Sequence, residues 1–102
     1  MKRFLLLSAV AALLPLMASA ALAQCVTKSG QGTGSNEDNA VFQAWEAVLQ
    51  ATDWGSWANW MATSQKPGTA PGFTVSGYQQ KCAPGGALGI ECVTQATLCK
   101  KD

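Results

Sequence analysis

The sequence predicts an α+β fold: one kinked or two-part helix packed on a small three-stranded sheet, in the order β-α-(α)-β-β, stapled by disulfides. Three observations carry this expectation. An apolar stripe with helical period runs through Val41 to Leu49, two later segments alternate with period two, and four cysteines all follow residue 23.

The first segment, Met1 to Ala23, opens on Lys2 and Arg3, continues as an apolar run from Phe4 to Met17, and ends in Ala21, Leu22 and Ala23. This is the pattern of a secretory signal peptide with an A-x-A cleavage site, and Ala18 to Ala20 offers a second site. Ser8 and Pro15 interrupt the run, which argues against a membrane anchor. Gln24 stands where lipid attachment at Cys25 would want a small residue. Removing 23 of the 102 residues leaves 79, expected as one domain over 24–102 with no membrane span. A core of that size seldom supplies more than roughly 3 to 5 kcal/mol. An oxidising compartment, periplasmic or extracellular, would let the cysteines add to it.

Gln24 to Gly34 alternates Cys25, Thr27 and Ser29 against Val26 and Lys28, which predicts a weak first strand. Gly30, Gly32 and Gly34 superficially suggest a phosphate-binding turn. Their spacing does not fit a dinucleotide fingerprint, and the chain has no room for the βαβ unit that goes with one. They read instead as a flexible or bulged strand end.

From Asn36 to Ser64 the chain holds all four tryptophans. Val41, Ala44, Trp45, Val48 and Leu49 form one stripe of an amphipathic helix. Ser35 or Asn36 serves as N-cap, and Glu37 and Asp38 place negative charge at the positive end of the helix dipole. Continued straight, the helix would point Trp54 and Met61 away from that stripe. A break between Asp53 and Ser56 is therefore expected, permitted by Gly55. A second helix from about Ser56 to Ser64 would return Trp54, Trp57 and Met61 to the core, and Pro67 and Gly68 would end it.

Lys66 to Gly72 is a turn-rich connection to the sheet. Phe73 to Cys82 alternates, with Gly77 marking a bulge that brings Tyr78 to the inner face. Ala83 to Gly89 is a hairpin loop. Ile90 to Cys99 alternates most clearly, with Ile90, Cys92, Thr94, Ala96 and Leu98 on one face. Thr74, Gln79, Lys81, Gln95 and Thr97 fall on the face turned to solvent.

A hairpin closing at Gly85 to Gly89 sets Cys82 opposite Cys92, which favours that pair and leaves Cys25 with Cys99. By loop entropy these two bonds stabilise by roughly 2.8 and 4.5 kcal/mol at most. The cysteines are too widely spaced for a zinc site or a redox C-x-x-C, and the chain has no histidine, so neither metal nor cofactor is expected.

Past residue 23 the chain has five lysines, scattered, and no arginine. Nucleic-acid binding and binding to anionic membranes both need clustered basic charge and are not expected. Without histidine the commonest general base is missing. Glu46 and Asp53, two turns apart on a continuous helix, are the remaining candidates for a minimal hydrolase, and no catalytic residue is assigned.

Trp54, Trp57 and Trp60 are the candidate ligand-binding residues, because a rigid amphipathic ring provides contact area at little entropic cost. Trp60 is the favoured surface residue among them. The pattern of Ala44 and Trp45, Trp57 to Trp60, and Cys82, Cys92, Ala96 and Cys99 resembles small exported bacterial proteins of unassigned function. That resemblance implies the same architecture and transfers no site residues. The expected function is a non-catalytic exported module that binds an envelope protein or a cell-wall polymer. The alternative is a secreted inhibitor of a hydrolase acting through the loops Lys66 to Gly72 and Ala83 to Gly89. Composition and pattern set no oligomeric state.

Overall fold

The computed structural model describes residues 24–101, so the export signal read over residues 1–23 lies outside the described residues. Strand β1 (Cys25–Gly34) is followed by helices α1 (Glu37–Thr52) and α2 (Trp54–Ala62), then strands β2 (Phe73–Pro84) and β3 (Ile90–Lys100). The sheet is antiparallel with order β1-β3-β2, and the helices cover one face. The last strand is thus the central one. Its period-two alternation is the clearest because it is flanked on both sides: Cys92, Thr94, Ala96 and Leu98 are buried under α1, while Val93 and Gln95 face solvent.

Asn36 caps α1, its Oδ1 accepting from Asn39 N at 2.9 Å. The buried stripe comprises Ala40, Val41, Ala44, Trp45, Val48 and Leu49. The helix breaks at one residue. Asp53 has extended backbone, its N–H closes α1 on Leu49 O at 2.8 Å, and its Oδ1 opens α2 by accepting from Gly55 N (2.7 Å) and Ser56 N (3.2 Å). Gly55 therefore lies inside α2 and is not the hinge. Asp53→Ala should destabilise the fold by about 1–2 kcal/mol through loss of this cap, and Asp53→Asn by much less. Urea unfolding of the two variants checks this.

The connection after α2 is held from above by three side-chain donors. Trp60 Nε1 donates to Lys66 O (2.9 Å), Trp45 Nε1 to Thr69 O (2.8 Å) and Ser56 Oγ to Pro71 O (2.7 Å). Each buried indole thus finds the acceptor that burial requires, and the loop gives up three carbonyls that would otherwise need water.

In β1 the inner-face positions past Lys28 are Gly30, Gly32 and Gly34, all buried. They do not mark a bulge: β1 pairs with β3 without interruption from Cys25↔Cys99 to Gly34↔Ile90. A β-carbon on Gly32 would lie 2.6 Å from Ala40 O and closer still to Ala44 N, and one on Gly34 would lie 2.6 Å from Ala40 N. The helix backbone itself occupies the space of the missing side chains. Glycine at period two faces alanine at period four, and α1 seats directly on the strand.

In β2 the register shifts between Ser76 and Gln79, at Gly77 with φ 61°. This bulge turns Tyr78 onto the inner face, where its ring meets Trp45 at 5.6 Å between centroids. Partial burial pushes the Tyr78 phenol above its usual pKa of 10.0, against a smaller opposing effect of the Thr94 hydroxyl. Raised in the folded state, this group contributes stability that is intact below pH 10 and is lost as pH rises through the folded value. Tyr78 is the chain's one tyrosine, so absorbance at the phenolate band should titrate above pH 10 when folded and return to about 10 in urea.

Both expected disulfides form. Cys25 joins Cys99 between directly paired residues of β1 and β3, and Cys82 joins Cys92 between β2 and β3. They lie on opposite faces of the sheet, for Cys92 is fully buried in a cluster with Ala40, Val41 and Ala44, whereas Cys25 is exposed.

Candidate functional site

The three candidate tryptophans are not equivalent. Trp60 is fully buried, which corrects the expectation that it lines a surface, and Trp54 is 63 % exposed, which corrects the expectation that the kink turns it inward. The two lie six residues apart, roughly 120° round the helix axis, so one faces the core only if the other does not. The decision is made by hydrogen bonds. Ser56 and Trp60, four apart on one face of α2, both donate to carbonyls of the 63–72 connection, and Trp60 also packs on Phe42 with ring centroids 5.0 Å apart. Trp54, at the first helical position, is left outside.

Trp57 lies between them in sequence and in burial. Its ring meets Trp54 at 5.3 Å and 84°, an edge-to-face pair, and its Nε1 donates to Glu46 Oε2 at 2.9 Å. Phe42 and Glu46, one turn apart on α1, therefore touch Trp60 and Trp57 of α2 in reverse order. The aromatic pair is clamped from below by a helix-to-helix hydrogen bond, and its outer ring stands in water. A carboxylate has about four lone-pair sites, so Glu46 keeps most of its acceptor capacity beside the pair.

The two carboxylates considered for catalysis have structural partners: Glu46 holds Trp57, and Asp53 caps α2. The extended residue between the helices ends the continuous helix on which they would have shared a face. Among the described residues no group of three or more His, Cys, Asp or Glu is placed to hold a metal ion, and no helix is long and apolar enough to cross a membrane.

Two other surfaces qualify as candidates. The solvated sheet face carries rows of short polar side chains, Thr27, Thr97 and Ser76, then Ser29, Gln95 and Gln79, with a hollow of about 530 Å³ bordered by Gln79, Lys81, Val93 and Gln95. The hairpin loop after β2 is exposed throughout, with Leu88 at 62 %, and is closed behind by Cys82–Cys92 and by Gly85 N bonding to Gly89 O. The 63–72 connection, by contrast, buries Ala70 and is bound down along its length. Comparison with protein-family models, with curated proteins and with solved structures finds no match.

Proposed function

We propose that this protein is a non-catalytic exported binding module, periplasmic or secreted, whose recognition surface is the Trp54–Trp57 pair at the α1–α2 corner. The observation that carries the reading is a large aromatic side chain held in water by structure rather than buried by it: Trp54 is 63 % exposed and braced edge-on by Trp57. Leaving such a ring exposed has a solvation cost, and the Trp57 ring that braces it is itself fixed by a hydrogen bond to Glu46. Two disulfides in so small a domain fit an oxidising compartment. An envelope protein or a cell-wall polymer is the partner class.

The test is saturable retention of the oxidised protein on an isolated envelope fraction. Trp54→Ala should lose retention with an unchanged urea-unfolding midpoint, and Trp54→Phe should remove the red-shifted, acrylamide-quenchable part of the emission. Retention equal to the parent in Trp54→Ala overturns the proposal.

A second reading, inhibition of a hydrolase, is favoured by one observation: Leu88 projects from a loop closed by a disulfide and a backbone bond. A screen of proteases and muramidases with Leu88→Ala as control tests it, and absence of inhibition at high micromolar protein removes it.

A further inference from the structure

The lysines and carboxylates are balanced in number but not in space. No lysine or arginine occurs between Lys28 and Lys66, and both helices lie wholly within that interval. Glu37, Asp38 and Glu46 on α1, with Asp53 at the break, give the helical layer four negative charges and no positive one. Lys81 and Lys100 are exposed on the strands, Lys66 and Lys101 are on connecting or terminal segments, and Lys28 alone is half-buried on the inner face of β1. The aromatic corner belongs to the anionic layer, and one of those four carboxylates, Glu46, touches it directly through Trp57 Nε1.

We infer that the Trp54–Trp57 corner binds a cationic polypeptide segment, a lysine- or arginine-bearing stretch of a partner protein. This rests on the reading of the corner as the recognition surface and adds the chemistry of what it recognises. A cation over an indole face is attracted by the ring quadrupole, and here a carboxylate lies at the rim of the same ring pair. A neutral sugar would stack on Trp54 but gain nothing from the Glu46 carboxylate beside the ring pair or from the negative charge of the helical layer. An anionic polymer would be repelled by them. Charge complementarity therefore selects among the partners that an exposed tryptophan alone would admit, and the field of the whole layer steers a basic segment towards the corner.

The probe is a blocked hexalysine peptide, titrated into the purified oxidised protein and followed by tryptophan emission and calorimetry. Blocked hexaglutamate and neutral chitotetraose serve as comparison ligands. Hexalysine should bind saturably and hexaglutamate should not. Affinity should fall as sodium chloride is raised from about 20 to about 300 mM, since an exposed charge contact is screened over that range. Trp54→Ala should weaken hexalysine binding about two- to fivefold, the usual consequence of losing a cation–ring contact at an exposed site. Glu46→Gln is the decisive variant, because its amide oxygen can still accept from Trp57 Nε1 while the charge is gone. It should weaken hexalysine binding about fivefold and leave the Trp54 emission of the free protein unchanged.

Binding of chitotetraose but not hexalysine, or equal hexalysine affinity in Glu46→Gln and parent, overturns the cationic assignment while the corner remains the recognition surface. Envelope retention through Trp54 with no hexalysine binding does the same. Only retention that ignores Trp54 removes the surface itself.

Discussion

Replacing Gly30 and Gly32 together with alanine is expected to abolish the folded state, although each change adds a single methyl group to a strand. The added carbons would meet the Ala44 carbonyl oxygen and, 2.9 Å away, Val48 Cγ2 and N from Gly30; from Gly32 they would meet Ala40 O and Gln43 Cβ, both at 2.6 Å, and Ala44 N. Most of these partners are helix backbone and have no rotamer to change. Accommodation requires α1 to lift off β1, and α1 carries Trp45, Val48 and Leu49 into the main core. Overpacking typically costs 1–3 kcal/mol per site, occasionally more, so two such sites together match the roughly 3 to 5 kcal/mol that a core of this size supplies. Gln31→Ala, between them on the solvated face, should change stability by less than about 0.5 kcal/mol. Urea unfolding of the single and double variants reads the result; a double variant that folds with parental stability would show that the helix does not rest on these glycines.

The second large effect belongs to the Cys25–Cys99 bond. Converting both residues to serine should lower the urea-derived stability by up to about 4.5 kcal/mol, against up to about 2.8 for the same change at Cys82 and Cys92. The difference follows from sequence separations of 74 and 10 residues, because the longer loop removes more freedom from the unfolded chain. One factor opposes this order. Cys92 is fully buried and Cys25 is not, so the shorter bridge also contributes packing against Ala40 and Ala44. If the Cys82 and Cys92 variant proves the weaker of the two, core packing outweighs chain entropy here.

Much of this fold is legible in the sequence because its signals are periodic. Val41 to Leu49 and Ile90 to Cys99 announce their faces, and a glycine at position 77 within an alternating run marks the bulge that sends Tyr78 inward. The hairpin register then places Cys82 opposite Cys92, and both disulfides follow. Two features are not legible in that way. The inward face of α2 is chosen by where Ser56 and Trp60 find carbonyls in the 63–72 connection, a tertiary fact that the spacing of tryptophans does not contain. For that reason Trp54 and Trp60 exchange the places that helical periodicity alone suggests. The glycine seat of α1 is likewise silent to any scale of hydrophobicity, since glycine has no side chain to register. Its signal is a match of small residues, every second one in β1 against every fourth one in α1. At the candidate site, residue type singled out the tryptophans, whereas the clamp from Glu46 to Trp57 spans the break at Asp53 and emerges only once α2 has folded back on α1.

The position of β3 governs the order in which the molecule can assemble. Among the described residues it follows the other four elements in the chain, and it pairs with both other strands, which do not pair with each other. Until it emerges, β1 and β2 have no partner and α1 has only part of the floor on which it rests. A chain that stops short of β3 therefore holds no sheet. The two disulfides differ in the same way: Cys82 and Cys92, 10 residues apart, are joined within one hairpin, whereas Cys25 and Cys99, 74 apart, are brought together only by the pairing of β3 with β1.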